Sequence, residues 1–440
     1  MKNKSPQLLK GFRDFGPEQA AARNSMFQTI RLAFERFGFA PMETPALEYA
    51  QTLTGKYGAE EKLMYKFKDQ GQRQVALRYD LTVPLARYYA QNRNELPNPF
   101  KRYALGQVWR AESPQKGRFR EFYQCDVDTV GISSSLADAE TIAAVAAALS
   151  DLGIGDYSIR INNRKILDGL LELVGVSAKR TVPVLRLLDK QDKISEKEVK
   201  AGLKKLGLAQ KQSEKLFAFL QISATDGKEL EDNFREVISE NKKLSEGLGE
   251  LADVFDDLNP LNVKNAVVDL KLARGLDYYT GTVCEFSLSA LPGYGSIAGG
   301  GRYDDLIGSF LKKPEVVPAV GMSIGVDRLL SALVEMELPP SNTPAGVVIF
   351  NLETKLEDRY LSIAVQLRRA GIVTDVYYRP DNLEKQFKYA EKKKARYAVI
   401  VGADEQRRGV VKVKNLLTRQ QDEVSPERLV SVLTEKLGSA

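Results

Sequence analysis

Residues 100–131 read FKRYALGQVWRAESPQKGRFREFYQCDVDTVG. Two β-rich runs, FKRYALGQVWRAE and REFYQCDVDTVG, flank PQKGR, whose proline and glycine mark a turn, so the segment is an antiparallel hairpin with a long polar tip. Alternation puts Arg110 with Glu112 on one face of the outgoing strand, and Phe122 with Gln124 on one face of the returning strand. The tip is dense in cations. Arginine grips phosphate with two parallel donors, and paired cations neutralise charge that builds on a phosphoryl group in transit. Phe122 offers a flat ring on which a purine can stack. The alternative for the tip is a solvated charged loop.

Upstream, Met26, Ile30, Phe34 and Phe37 form a helical stripe within residues 18–37, and Gly38 supplies the stop. GFAPMETPALEY follows, in which Pro41 and Pro45 forbid continued helix and favour an edge or interface strand. QVALRYD is a strand. Downstream, residues 136–151 are an alanine-rich helix and YSIRIN, 157–162, is a strand. The stretch from about 165 to 262 is rich in Lys, Glu and Leu with helical periodicity and is read as an inserted helical domain. Strands resume with NAVVDLKLARGLDYYTGTVCEFSLS, and a helix follows VPAVGMSIGVDRLLSAL. After LPPSNTPAG, strands alternate with amphipathic helices, which predicts a small α/β domain. The fold class is therefore α+β: an antiparallel-sheet domain over 1–335 interrupted by the insertion, a linker at 336–344, and an α/β domain over 345–440.

Composition narrows the chemistry. Among 440 residues there is no histidine, which excludes Ser-His-Asp, Cys-His and His-metal catalysis and leaves carboxylates, cations, backbone dipoles or bound metal ions. The two cysteines, Cys125 and Cys284, lack C-x-x-C spacing and are read as small apolar strand residues. With 64 Lys+Arg against 58 Asp+Glu the net charge is +6, which suits a polyanionic partner without requiring one. The amino terminus has no apolar run of signal length and no stretch reaches the roughly 20 apolar residues of a membrane span, so a soluble cytoplasmic protein is expected.

Four clusters join Gly, Arg and acidic residues where strands meet turns. In RYDLTVP, 78–84, Asp80 and Thr82 bring two oxygen acceptors together, suited to an ammonium group or simply to capping the next helix. The hairpin is the second cluster. The third is ARGLDYYTG, 273–281, with GGGRYD, 299–304, where glycines admit close backbone approach and tyrosines give flat walls with polar ends. GYGSIA, 293–298, is rejected as a dinucleotide fingerprint, because Pro292 and the glycines around it leave no helix to receive a pyrophosphate. The fourth is GMSIGVDR, 321–328, a glycine-rich strand entering a helix on an Asp-Arg pair.

In this order the clusters resemble the histidyl-tRNA synthetase family over essentially the whole chain. GFAPMETPALE is similar to the dimer-interface motif of class II synthetases, the hairpin to the second class motif and AVGMSIGVDRLL to the third. ARGLDYYTGTVCEF with GGGRYDDLIG is the histidine-specific pattern, and the last domain resembles the family's anticodon-binding domain. The resemblance implies ATP and Mg²⁺, L-histidine and its tRNA as partners, and a homodimer. It implies Arg110 on the α-phosphate and the substrate carboxylate, Glu112 and Phe122 on adenine, and Arg328 on the γ-phosphate. Arg274 falls at the reacting phosphate. Asp80, Thr82 and Gln124 fall on the amino group, and Asp128, Tyr279 and Tyr303 on the imidazole. Two rivals share these motifs: a catalytically silent regulatory relative, and an adenylating small-molecule ligase indifferent to RNA. The run Lys385, Lys388, Lys392, Lys393, Lys394 and Arg396 is either an RNA-facing surface or a solvated helix face.

Overall fold

Phe100–Trp109 pairs antiparallel with Glu121–Val130 through ten consecutive partners, from Phe100 opposite Val130 to Trp109 opposite Glu121. The structure, a computed structural model, describes residues 6–115, 117–191, 194–274, 278–337 and 346–438. Around the hairpin stands an eight-stranded sheet in the order Ala40–Pro41, Phe100–Trp109, Glu121–Val130, Ala319–Gly325, Ser296–Arg302, Thr282–Leu288, Tyr157–Asn163 and Ala266–Val268. Only the two outermost pairings are parallel. The sheet thus brings residues 126 and 323, some two hundred positions apart, into facing register.

Because strand side chains alternate, the hairpin has two different faces. Its odd-numbered face is covered by the helix Pro17–Arg36: Phe27 meets Tyr123 at 5.0 Å between ring centroids and Phe34 meets Tyr103 at 6.2 Å. Met26, Ile30 and Phe34 of the predicted stripe are fully buried. Phe37 caps the helix, and Gly38, in the left-handed region at φ +77°, closes it by donating to the Glu35 carbonyl. The even-numbered face carries Phe122, Gln124, Asp126 and Asp128 and is left for a ligand.

The proline-bearing segment divides its pairing. Ala40–Pro41 forms the sheet edge, while Leu47–Tyr49 joins Gln74–Leu77 and Lys66–Lys68 in a separate three-stranded antiparallel sheet. Between Tyr157–Asn163 and Ala266–Val268 the described chain is helical, from Arg164–Leu173 to Lys242–Leu258. The last of these helices buries Leu244, Leu248, Leu251, Phe255 and Leu258 at helical spacing, and Asn241 caps its first turn. Cys125 and Cys284 are buried free thiols on strands.

The chain divides into two units, Met1–Gly16 with Arg23–Pro340 and Pro17–Ala22 with Ser341–Ala440. The second holds a five-stranded sheet in the order Thr374–Val376, Val347–Ile349, Tyr397–Ile400, Val411–Asn415 and Gln421–Val424, parallel over its first three strands. From residue 338 onward the predicted linker lies outside the described residues. Among the described residues no helix is long and apolar enough to cross a membrane.

Candidate active site

The even-numbered face of Glu121–Val130 floors a cleft of about 1160 Å³. Asp80, Thr82, Arg110, Glu112, Phe122, Gln124, Asp128, Arg274, Tyr279, Tyr303 and Arg328 all line it. One end is acidic and deeply buried, the other cationic and more open.

At the acidic end, Asp128 is 2% exposed and accepts from the Tyr303 hydroxyl at 2.5 Å. Arg102 Nη2 lies 2.8 Å from the other carboxylate oxygen, close enough to pair in charge but off the angle of a hydrogen bond, so that oxygen keeps acceptor capacity. Burial raises the Asp128 pKa, and Arg102 and the Tyr303 hydroxyl pull against it. Asp126, two residues earlier on the same face, is lifted by burial to about 7, again opposed by Arg102. Asp80 divides its oxygens: Oδ1 accepts from Tyr57 at 2.9 Å and from the Val83 N–H at 3.0 Å, capping the helix Thr82–Asn92, while buried Oδ2 has no partner. Of the two alternatives in the sequence, capping is served by one oxygen, and the other oxygen stays available to a ligand in the cleft.

At the cationic end, Arg110 lies 4.4 Å from the Tyr79 ring and 5.2 Å from the Phe122 ring, anchored by Nε on the Tyr79 carbonyl at 3.1 Å. Arg118 pairs with Glu112 at 3.3 Å. Arg328 donates to the Ser296 carbonyl, and its pKa is lowered by burial and by the neighbouring Arg118 and Arg110. Three guanidiniums close enough to repel one another form a field that an anion relieves. Arg274, itself at φ +42°, donates to the Cys284 carbonyl at 2.9 Å and stands 3.7 Å from Glu285. Behind this end, Arg13 joins Asp327 at 2.5 Å and stacks 3.2 Å over the Phe119 ring, while the second Asp327 oxygen takes the Tyr123 N–H at 2.6 Å.

A polyanion at one end and a small cationic or hydrogen-bonding group at the other is what this polarity accommodates. Residues 11–329 match the family model described as histidyl-tRNA synthetase. The chain belongs to the histidyl-tRNA synthetase family. Residues 346–436 match the model of an anticodon-binding domain. A histidine–tRNA ligase of Rhodopirellula baltica is 41% identical, covering 97% of this chain and 98% of the relative. The crystal structure of histidyl-tRNA synthetase from Nostoc sp. superposes with a TM-score of 0.86 at 35% identity over 99% of this chain and all of that one. A Bacillus halodurans structure described as an ATP phosphoribosyltransferase regulatory subunit/histidyl-tRNA synthetase, 22% identical with a TM-score of 0.76 over 91% of this chain and 98% of that one, shares the fold. The sheet is the antiparallel sheet of a class II synthetase.

Some expectations about this synthetase need correction. Glu112 does not share a strand face with Arg110, because the strand ends at Trp109 and Ala111 instead donates to the Leu63 carbonyl at 2.8 Å. Arg302, which the sequence assigned no role, pairs with buried Asp138 and with Asp304 and does not line the cleft. Lys385, Lys388 and Lys393 are engaged by Asp381, Glu384 and Asp375, which favours the solvated helix face over an RNA surface. Gly275, Leu276 and Asp277 of the third cluster, and Lys116 of the hairpin tip, lie outside the described residues. Tyr278, one of the tyrosines read as flat walls, also lines the cleft. Tyr57, Glu60, Asp126 and Ser323 were given no role in the sequence; of these Asp126 had a signal, its alternation with Gln124 and Asp128.

Proposed function

We propose that the cleft activates histidine with ATP and transfers it to the 3′ end of its tRNA, with the two ends dividing the work. Ligation of histidine to tRNA is the activity of the family, and the juxtaposition of the buried Asp128–Tyr303 pair with the Arg110, Arg274 and Arg328 cations carries the assignment to this cleft. Asp128, Tyr279 and Tyr303 receive the imidazole, the Asp128 oxygen that makes no hydrogen bond accepting a ring N–H. Asp80, Thr82 and Gln124 receive the ammonium group. Phe122 and Glu112 hold adenine, Arg110 spans the α-phosphate and the substrate carboxylate, and Arg328 holds the γ-phosphate.

The substrate carboxylate attacks the α-phosphorus in line and pyrophosphate leaves. No protein base is needed, so rate comes from positioning and from neutralisation by Arg110 and Arg274. In the second step the terminal ribose hydroxyl attacks the adenylate carbonyl, its proton passes to an adenylate phosphate oxygen, and AMP departs. A phosphorothioate ATP slows transfer in this scheme; an unchanged transfer rate contradicts the proton's route. Mg²⁺ enters as part of the nucleotide substrate, with which it bears the phosphate charge.

The anticodon-binding match supports tRNA as partner. The exposed Leu47 and Tyr49, beside the edge strand Ala40–Pro41, support a homodimer through this region. The setting is the cytoplasm, where tRNA is charged. Aminoacylation of a histidine tRNA transcript, with affinity that falls as salt rises, tests the whole reading. Adenylate formation without transfer to that transcript returns the small-molecule ligase, and neither step returns the silent relative.

A further inference from the structure

Beside Gln124 on the cleft floor lies a chain of polar groups that the reaction as described does not use. Gln124 is 8% exposed; its Nε2 stands 2.6 Å from Ser323 Oγ, and its Oε1 is buried without a partner. Ser323 is the direct strand partner of Asp126, which places its hydroxyl beside that carboxylate, whose Oδ1 is buried without another partner. Asp126 is 2% exposed, with Arg102 as its counter-charge.

The direction of these bonds follows from what each group carries. An ionised carboxylate only accepts, and a hydroxyl has one hydrogen to give. Ser323 therefore spends its hydrogen on Asp126 and has only lone pairs left for Gln124. The Gln124 atom that meets it must be the NH₂ group, which turns the carbonyl oxygen toward the cleft. An amide without this constraint presents either end. An NH₂ group facing an ammonium offers donor to donor, whereas a carbonyl oxygen accepts from it.

We propose that Ser323 and Asp126 are positioning residues that lock the Gln124 amide with its oxygen toward the cleft, and so select a substrate bearing a free ammonium group. The proposal rests on the assignment of Gln124 to the amino group. It adds that the polarity of the amide is imposed by its neighbours on the cleft floor, a hydroxyl and a carboxylate outside the groups assigned to the substrate.

The test compares binding of L-histidine with binding of imidazolepropionate, which lacks the amino group, above the Asp126 value of about 7. Ser323→Ala is expected to weaken histidine about tenfold and leave imidazolepropionate unchanged. Ser323→Thr, which keeps the hydroxyl, restores the parental ratio. In a Gln124→Ala background, Ser323→Ala adds nothing, because the two act as one unit. Equal weakening of both ligands by Ser323→Ala, no weakening of either, or its full effect in the Gln124→Ala background, overturns the relay. If Gln124→Ala itself leaves the histidine-to-imidazolepropionate ratio unchanged, the amino-group assignment falls and the relay with it.

Discussion

Gly321 stands directly opposite Asp128 across the sheet, and a Cβ placed on it would lie 1.9 Å from the Asp128 carboxylate. The missing side chain is what leaves the acid its position under Tyr303. Gly321→Ala is expected to push Asp128 out of line and lower histidine-dependent pyrophosphate exchange about 10- to 100-fold, the range for losing a hydrogen bond to a charged group. Parental exchange in a folded Gly321→Ala variant would remove Asp128 from the specificity account.

A second glycine serves the cationic end. A Cβ on Gly299 would lie 1.6 Å from Arg274 Nη1, so Gly299→Ala displaces the guanidinium. We expect Gly299→Ala and Arg274→Ala to share one signature: kcat for adenylation reduced about 100-fold or more with KM for histidine little changed, as for a group that stabilises charge mainly in the transition state. Loss confined to KM would make Arg274 a substrate anchor instead.

Asp126 predicts a pH dependence of stability. Its carboxyl ionises at 3.8 ordinarily and at about 7 in the fold, so between those values the folded chain holds the extra proton. Its contribution to stability therefore falls as pH rises through that window and levels off above it. Asp126→Asn removes this slope: the variant should melt higher than the parent above the window, with the advantage vanishing below it. A melting difference independent of pH would mean that Asp126 is ionised throughout.

Arg13 ties the amino-terminal segment to both the hairpin, through Phe119, and the helix that begins at Val326, through Asp327. Since Asp327 precedes Arg328, Arg13→Ala should loosen the γ-phosphate end and raise KM for ATP about tenfold while KM for histidine stays near parental. Equal changes in both constants would point to general loosening of the sheet.

Much of this site was legible in the sequence because its residues sit at strand ends, where alternation and turn chemistry act locally. Phe122, Gln124 and Asp128 could be placed on one face from spacing alone. Ser323 could not be linked to Asp126, nor Gly321 to Asp128, because those facts belong to a register between strands far apart in the chain. The position of Glu112 depended on a tertiary bond from Ala111 to Leu63 that ended the strand early. Tyr57 and Glu60 lie in a short 3₁₀ segment and the residue before it, with no periodic pattern; Tyr57 reaches the site through Asp80, and Glu60 lines the cleft beside Tyr79. The absence of histidine narrowed the chemistry most. In the proposed reading an acid and tyrosines hold the imidazole and arginines stabilise charge, so the chain needs no imidazole of its own.

The most direct test of the account is ATP–pyrophosphate exchange by the parent chain, measured with each standard amino acid in turn. The account predicts exchange that depends on histidine and is lost in Asp128→Asn. Exchange driven by another amino acid, or histidine-dependent exchange undiminished in Asp128→Asn, would contradict it.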